Sequence, residues 1–289
     1  MRVEGKEIIV TGACPRTARL RDEWYAYLDS PVSCIRELKM SDIRADVFTF
    51  MQPIPDRTPR HPFHAEVRSA AVLPLRTYEE WWTTQINDKT RNMVRKAAKS
   101  GVTVRRVEFN DDLVRGIASI YNETPLRQGK LFTHYGKDFE TIERTHITYL
   151  ECSDFLGAFL NRELIGFAKL VHGDSVSSLM QILCKVAHRH SAPTNALMAG
   201  AVEVCTRRNV PYLHYGVWSR RGLGEFKKHH GFERFDVPCY FVPLNAVGHL
   251  CLRLNLHRPL VERLPGAWQD AFAALRTRWY AARYRHRLP

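Results

Sequence analysis

The feature that most constrains the fold of this chain is the order of strand-like and helix-like hydrophobic patterns between residues 102 and 244. Alternation of apolar and polar residues marks strands, and apolar residues spaced three or four apart mark helices. In chain order the pattern is strand, helix, helix, three strands, helix, strand, helix and strand. The short connections NR and HGDS join the three consecutive strands, as in antiparallel hairpins. A meander followed by strand, helix and strand predicts a mixed sheet with helices on its faces, an α/β fold.

The rest of the chain is organised around this core. Residues 1–77 hold strand-like stretches separated by the loop PIPDRTPRHP, and we predict a strand-rich N-terminal segment. Thr77 as N-cap, acidic residues in the first turn and Gly101 at the end predict one long helix over 78–101. The core with this entry helix therefore spans 78–245. Residues 246–289 are predicted to form a basic helical extension that packs on the domain, with an anionic membrane surface or RNA as alternative partners.

Composition limits the class of protein. The chain has 289 residues, of which 45% are hydrophobic and 25% charged, as in ordinary globular proteins. No apolar run approaches the roughly 20 residues that span a bilayer, and no signal peptide is recognisable, so we expect a cytoplasmic protein. The seven cysteines are scattered without a CxxC pair, which favours reduced thiols over disulfides or zinc. The formal charge of +13 indicates attraction to polyanions without choosing among them.

Three local stretches resemble a known family. The entry helix with its tryptophan and the following "GVTV", the segment "APTNALMAGAVEVCTRRNVPYLHYG", and "GLGEFKKHHGF" are similar to FemAB-type proteins of the GNAT acyltransferase superfamily. The element order over residues 102–244 is likewise similar to the GNAT core. This resemblance implies an acyltransferase, and FemAB relatives include aminoacyltransferases of peptidoglycan cross-bridges and proteins associated with extracellular polysaccharide. Many FemAB transferases contain two GNAT-like halves, so the resemblance also suggests residues 1–77 as a truncated GNAT-like half.

The donor site is expected where an antiparallel strand gives way to a parallel neighbour. There the two strands splay apart, and the N-terminus of the connecting helix suits a pyrophosphate. The resemblance therefore implies acyl-coenzyme A, such as acetyl-coenzyme A, as donor. The candidate donor-binding residues are Lys185, Arg189, Ser191, Thr194 and Asn195. The chain departs from acyl-coenzyme A users in that "HRHSAPTN" lacks the glycines of their phosphate-binding loop, which leaves an aminoacyl-tRNA donor as the alternative.

Acyl transfer needs a base for the nucleophile, donors for the tetrahedral oxyanion and a proton for the leaving group. Lys227 stands where many GNAT enzymes carry a catalytic tyrosine, and its ammonium is suited to stabilising an oxyanion or a phosphate. Tyr215 is the alternative acid. Glu123 or His134, in a polar loop between two helices, is predicted as base. A solvated Lys227 and a buried structural Tyr215 remain the ordinary alternatives.

Further residues are candidates for contact with the acceptor, either in the same polar loop or on strands with apolar neighbours. They are Arg127, Gln128, Lys130, Tyr135, Lys169, Gln181 and Trp218. No metal site is predicted, because the histidine pairs His61 with His64 and His188 with His190 lack convergent carboxylates in the sequence.

The sequence therefore predicts a FemAB-like acyltransferase that moves an acyl group to an amine or hydroxyl of a polysaccharide, a cell-wall precursor or a small molecule. An aminoacyl-tRNA-dependent transferase and a non-catalytic binding module of the same fold are the two alternatives.

Overall fold

A computed structural model describes residues 2–3, 5–21, 23–24, 27–127, 130–219 and 222–258. The candidate Gln128 and most of the predicted basic extension, residues 259–289, lie outside the described residues.

The described residues form the following strands and helices. In chain order they are β1 Arg2–Val3, β2 Lys6–Thr11, β3 Thr17–Leu20, α1 Pro31–Met40, β4 Val47–Met51, β5 His64–Pro74, α2 Tyr78–Glu80, α3 Asp88–Lys99, β6 Thr103–Val107, α4 Asp111–Tyr121, β7 Leu126–Arg127, β8 Lys130–Leu131, α5 Phe139–His146, β9 Ser153–Leu160, β10 Glu163–His172, β11 Val176–Cys184, α6 Pro193–Arg207, β12 Tyr212–Val217, α7 Gly222–His229, β13 Glu233–Pro243 and α8 Ala246–Arg253.

The described residues form two compact units. The first contains the chain up to residue 70 and from 234 to 258, and the second contains residues 71–233. These boundaries differ from a division at 77 and 245, because β13 pairs with β4 of the N-terminal segment from Cys239 opposite Met51 to Pro243 opposite Val47. The last strand of the predicted core thus belongs to the first unit for most of its length.

The first unit is a strand-rich structure. β1, β2 and β3 pair antiparallel, β3 lies parallel to β4, and β13 runs antiparallel to β4. The sequence patterns did not predict α1, which begins after Ser30, whose side chain accepts a hydrogen bond from the amide of Ser33, and has a proline in its first turn. Cys34, Ile35 and Leu38 of α1 join the core of this unit.

The second unit has the predicted α/β fold. β6, β9, β10 and β11 form an antiparallel sheet in the order β6-β9-β10-β11, and β12 follows β11 in parallel. The connection between β11 and β12 is α6, whose buried face includes Leu197, Ala201 and Cys205. An antiparallel meander, a crossover helix and a parallel strand followed by α7 make up the GNAT fold, which confirms the predicted fold class.

The predicted long helix over 78–101 is wrong in one respect, because it is interrupted. After α2 the backbone forms a π-helical turn over Trp81–Gln85, and Ile86 is extended with φ −110° and ψ 149°. Asn87 then caps α3, its side chain accepting a hydrogen bond from the amide of Thr90 at 2.9 Å. A second N-cap inside the pattern therefore starts a second helix.

None of the described helices is both long and apolar enough to cross a membrane.

We predict that Gly248→Ala destabilises the first unit. A Cβ atom at this position would stand 1.9 Å from the carbonyl oxygen of Asp46, which is backbone and cannot rotate away. We expect a loss of about 1–3 kcal/mol or more in the free energy of unfolding, as for overpacked sites. Chemical denaturation of the purified variant measures it. The neighbouring substitution Val247→Ala, at a side chain 47% exposed, is the control and should stay within about 0.5 kcal/mol of wild type. Equal stability of the two variants would contradict the close approach.

Candidate functional site

The strands β11 and β12 separate soon after they meet. Their parallel ladder contains only three pairs, the last being Ser178 opposite His214. On its other side β11 pairs with β10, where Lys169 faces Gln181 and Leu170 faces Leu179. Met180 is therefore an extra residue, a β-bulge, at the point where β11 has left β12. The predicted splay is present, and a bulge lies at its base.

Lys227 lies on α7 and reaches the separated part of β12. Its Nζ donates to the backbone carbonyls of Tyr215 and Val217, each at 2.7 Å, and stands 4.5 Å from the centre of the Tyr215 ring. The residue is 2% exposed, and burial lowers the pKa of its ammonium to about 8. Lys227 is thus not a solvated surface lysine. The ammonium has three N–H groups, and these two carbonyls account for two of them.

The end of α7 is anchored by the two helices that precede the core. Trp81 Nε1 donates to the carbonyl of His230 at 2.9 Å, and Thr90 Oγ1 donates to the carbonyl of His229 at 3.0 Å. Gly231 then takes a left-handed conformation with φ +84°, and the amide of Phe232 bonds back to the carbonyl of Lys227 at 3.1 Å. The π-helical turn and α3, on the two sides of the interruption at Ile86, therefore both bond to the end of α7.

Glu123 holds the turn after β11. Its carboxylate accepts hydrogen bonds from the amides of Val186 at 2.5 Å and Ala187 at 2.8 Å, one on each oxygen. Arg127 lies 3.4 Å from the same carboxylate and donates to the carbonyl of Cys184 at 2.7 Å. The sequence predicted Glu123 as a base and Arg127 as a residue that binds the acceptor substrate. In this structure Glu123 bonds to the turn after β11, and Arg127 bonds to the end of β11.

The rest of the turn between β11 and α6, residues 188–192, is held by hydrogen bonds within its own backbone. The amides of Arg189, Ser191 and Ala192 bond to carbonyls three residues back, forming a turn of 3₁₀-helix. Ala192 adopts the left-handed conformation with φ +54°, which glycine accepts more readily. Pro193, first in α6, has no amide hydrogen, and no side chain caps the helix. The Arg189 side chain is exposed, whereas Ser191 is buried and its hydroxyl donates to the carbonyl of His188.

Thr194 and Asn195 join the first turn of α6 to its surroundings. Thr194 Oγ1 donates to Cys184 Sγ at 3.3 Å, at the end of β11. Asn195 Nδ2 lies 3.3 Å from His230 Nε2, and because His230 Nδ1 bonds to the Phe226 carbonyl, Nε2 is the acceptor. Burial lowers the pKa of His230 to about 4, which keeps it neutral. The α6 N-terminus and the α7 corner are therefore neighbours.

A second polar cluster lies under the loop between α4 and α5. Tyr121 donates its hydroxyl hydrogen to Gln181 Oε1 at 2.7 Å, and its oxygen lies 3.0 Å from His146 Nε2. Burial, with the charge of Lys169, lowers the pKa of His146 to about 3, so the ring is neutral. Because Tyr121 gives its hydroxyl hydrogen to Gln181, we assign the proton of His146 to Nε2, which donates to the Tyr121 oxygen. The ring of His134 lies 4.6 Å from that of Tyr121, and burial, followed by Lys137 and Arg127, lowers the pKa of His134 to about 4.

The other site residues predicted from the sequence differ in burial and in hydrogen-bond partners. Lys169 is fully buried, and its Nζ donates to the carbonyls of His146 and Thr148. Lys185 Nζ donates to Glu163. Lys130 and Tyr135 are exposed, and Trp218 packs, partly buried, against the main core of the unit.

Sequence patterns missed several residues that shape this region. Tyr121 appeared only as the last residue of an apolar helix stripe, and His146 as an ordinary helix residue. Tyr121 contacts His146, 25 residues away, and Gln181, 60 residues away. The bulge at Met180 gives no composition signal either, since it follows from strand register.

A separate buried cluster surrounds Asp154, beside an open cavity of about 570 Å³ at the start of β9. Asp154 contacts Arg106, Arg208 and His172, and His172 Nδ1 lies 2.7 Å from Ser177 Oγ. The chain Ser177, His172, Asp154 has the connectivity of a hydrolase triad. Ser177 is fully buried, however, and two arginines engage the carboxylate, so this cluster is a structural ion network.

Comparison with known proteins identifies relatives by structure only. No family model matches the chain, and no curated protein matches its sequence. Among solved structures, FemX is similar with a TM-score of 0.61 at 12% identity, over 85% of this chain and 86% of FemX. L-PGS from Bacillus licheniformis has a TM-score of 0.56 at 11% identity, over 86% of this chain and 85% of that one.

A third structure is the C-terminal domain of a protein named as a lysylphosphatidylglycerol synthetase, from Agrobacterium fabrum. Its TM-score is 0.53 at 14% identity, over 85% of this chain and 83% of that chain. At such low identities these likenesses show the fold. They confirm the predicted resemblance to FemAB-like GNAT proteins at that level, over most of the chain and not only its core.

We predict that Glu123→Ala loosens the turn after β11 without unfolding the unit. Hydrogen bonds to a charged group contribute about 1.5–3 kcal/mol, so the amides of Val186 and Ala187 should exchange with deuterium roughly ten- to a hundredfold faster. Hydrogen exchange with peptide-level mass spectrometry measures this. Glu163→Ala is the matched control, because Glu163 is 48% exposed and contacts the same loop through the surface ion pair with Lys185. Unchanged protection at residues 186 and 187 in Glu123→Ala would show that the carboxylate does not hold the turn.

Proposed function

We propose that this protein is a transferase that moves an aminoacyl or acyl group from an activated ester to an amine or hydroxyl. The observation that carries the proposal is the meeting of three features in one place. They are the early separation of β11 and β12, the bulge at Met180, and the buried ammonium of Lys227 against the separated part of β12.

The backbone at the bulge supplies part of the proposed chemistry. Within the described sheet, Met180 has no opposite residue in β10, and β11 has no β12 partner from Leu179 onward. Backbone amides in such a stretch are available as rigid donors for the oxygen of a carbonyl that becomes tetrahedral. The carbonyl carbon of the donor ester would then lie in the gap between the strands, next to the attacking acceptor.

Lys227 supplies the positive charge. Two carbonyls and the Tyr215 ring fix its ammonium, so one N–H direction remains for the oxyanion or for the leaving oxygen. Because the ammonium is already held in a buried position, little reorganisation accompanies the reaction. The function we assign to Lys227 is electrostatic stabilisation, with Tyr215 positioning it through its carbonyl and ring.

We propose an aminoacyl ester, as on aminoacyl-tRNA, as the donor. A coenzyme A pyrophosphate would bind backbone amides of the turn before α6, but Glu123 occupies two of them and the 3₁₀ turn engages three more. Pro193 removes a further amide at the head of the helix. The net charge of +13 suits a nucleic-acid donor. One of the similar structures is named as a lysylphosphatidylglycerol synthetase, a name that includes an aminoacyl group.

One specific observation favours acyl-coenzyme A as a second candidate donor. Ala192 adopts the left-handed conformation at a position where the resembled family carries glycine, and Arg189 is exposed three residues before it. A loop of this shape with a basic side chain can bind phosphate through the side chain instead of through amides.

The acceptor is proposed to be an amine or hydroxyl of a polysaccharide, a cell-wall precursor or a small molecule. It would enter beside the loop of residues 122–137, where Tyr121 joins Gln181 of β11 to His146. Burial, followed by Lys137 and Arg127, lowers the pKa of His134 to about 4, so its imidazole is neutral here and suited to orienting the acceptor through a hydrogen bond.

We predict that Lys227→Met abolishes most transfer while Lys228→Met does not. The probes are a mixture of radiolabelled aminoacyl-tRNAs and, separately, radiolabelled acetyl-coenzyme A, each incubated with a panel of amine and hydroxyl acceptors. Loss of an oxyanion donor lowers kcat by about 10²–10³. Lys228 is the neighbouring exposed lysine, paired only with Glu225 in the described residues, and its loss should leave kcat unchanged. Binding of a donor with no turnover in the wild type would instead support a non-catalytic binding module.

We also predict a falling activity above pH 8. Burial lowers the pKa of Lys227 to about 8, so the ammonium that stabilises the transition state is lost as the pH rises through that value. Lys227→Arg keeps a charge at every working pH and should remove this descending limb, at some cost in kcat because a guanidinium fits the two carbonyls differently. The measurement is kcat against pH for both proteins. A rise through pH 8 in the wild type would show that Lys227 acts as a base.

A further inference from the structure

Three metal-ligating side chains converge in the first unit, although they are far apart in sequence. His64 and Glu66 belong to β5, and His257 follows α8. His257 Nε2 lies 2.6 Å and His64 Nε2 lies 3.5 Å from Glu66 Oε1. The ligand atoms of all three residues lie within 4.8 Å of one another. This convergence is absent from the sequence, where His257 stands 191 residues from Glu66.

The backbone explains why two of the three side chains share one face. His64 and Glu66 are two residues apart on a strand, so their side chains project to the same side of the sheet. His257 is brought to them by the turn after α8, where the amide of Leu256 bonds to the carbonyl of Cys251 at 2.7 Å. A spacing of two on a strand plus one remote histidine is a common way to assemble a three-ligand metal site.

His257 is held as a buried ligand would be. Its side chain is 1% exposed, and its ring packs 4.7 Å from that of Phe241 and 5.5 Å from that of His64. Its Nδ1 is buried and has no hydrogen-bond partner among the described residues. The nitrogen that faces the carboxylate, Nε2, is the atom placed to bind an ion, and the two ring contacts hold the imidazole in that position.

We propose that His64, Glu66 and His257 bind one divalent transition-metal ion, with Zn²⁺ as the natural occupant. Two imidazoles and one carboxylate are a ligand set that suits Zn²⁺. The fourth tetrahedral position is left to water. In a tetrahedral site with bonds of about 2.0–2.2 Å the ligand atoms stand roughly 3.3–3.5 Å apart. The distance from His64 already fits, and the His257 nitrogen moves back from Glu66 when the ion replaces their hydrogen bond.

Arg258 competes with the ion for the same carboxylate. Its Nε donates to Glu66 Oε1 at 2.9 Å, the same oxygen that faces His257 and His64. The Arg258 side chain is 48% exposed, so its charge is screened and the side chain can rotate toward solvent. The arrangement predicts a metal site whose affinity is limited by Arg258 and increases when Arg258 is removed.

Bound metal would tie β5 to the segment after α8 inside the first unit. Since the three ligands come together only in the folded chain, the ion stabilises the native state by mass action. The ion would have this structural effect whether or not the chain transfers acyl groups, so the proposal is independent of the proposed function.

The test is a Co²⁺ titration of the full chain, purified after chelator treatment. We expect one equivalent to give the visible d–d absorption of a tetrahedral site, one equivalent of Zn²⁺ to displace it, and a rise in Tm on loading. His64→Ala should abolish the signal, and since His64 is half exposed this variant should fold. His257→Ala should do the same, with circular dichroism checking its fold. Arg258→Gln should bind Co²⁺ severalfold more tightly.

His249→Ala is the matched control, because His249 is exposed on α8 outside the cluster, and it should retain full binding. The proposal is overturned if the wild type shows no stoichiometric Co²⁺ spectrum, or if His64→Ala keeps the spectrum. An equal loss in His249→Ala would likewise overturn it, since it would assign the binding to scattered surface histidines. Unchanged affinity in Arg258→Gln would show that the ion does not share the Glu66 carboxylate.

Discussion

The structure of the second unit depends on how the backbone hydrogen-bonding groups of β11 and β12 are satisfied after the two strands stop pairing. β11 and β12 share three residue pairs and then separate, which leaves carbonyls and amides that a continuous sheet would have bonded. An unsatisfied buried polar group costs about 1–3 kcal/mol, so a gap of this kind persists only where other groups fill the missing bonds. Lys227 does so for the carbonyls of Tyr215 and Val217. The same contact that stabilises the opened strand places a cation beside the gap.

A buried cation needs support from the elements around it, and several converge on α7. Trp81 and Thr90 bond the carbonyls at the end of this helix, while Asn195 from α6 bonds His230. These contacts come from three separate stretches of the chain, and they fix the helix that carries Lys227. The position of the ammonium is therefore set before any ligand arrives, which is what electrostatic catalysis in a low-dielectric site requires.

The sequence predicted the architecture of the second unit well because hydrophobic period and cap residues are local signals. The strands around "ELIGFAKLVH" and the helix before "NVPYLHYG" followed from such patterns. The prediction of one long entry helix was wrong because an asparagine such as Asn87 is compatible with both a helix interior and a cap. The contacts of Trp81 and Thr90 with the end of α7 favour the interrupted form. Tertiary contacts of that kind have no local signature.

The same limit applied to the site. Lys227 was identified from its motif, but the partners that bury it were not. Glu123 seemed suited to be a base because it stands in a polar loop, yet its carboxylate bonds amides 63 and 64 residues away. The cluster at His64, Glu66 and His257 was missed for the same reason, since His257 stands 191 residues from Glu66 in the sequence. Residue type and spacing in the sequence identify which side chains are chemically reactive or can bind a ligand. Strand register and loop conformation determine which of these side chains lie close together.

The turn between β11 and α6 lacks glycine, and its first amides bond to the Glu123 carboxylate, which has a consequence for recognition. In a glycine-rich loop the backbone amides face the ligand, whereas here Glu123 turns two amides inward and places a negative charge behind the loop. A polyanion approaching this turn would meet the exposed Arg189 and His190 side chains instead of backbone dipoles. Contacts made by mobile basic side chains are screened by salt far more than those made by buried amides. Binding of a polyanion to these side chains would therefore depend steeply on ionic strength, as it does for proteins that hold a nucleic-acid backbone.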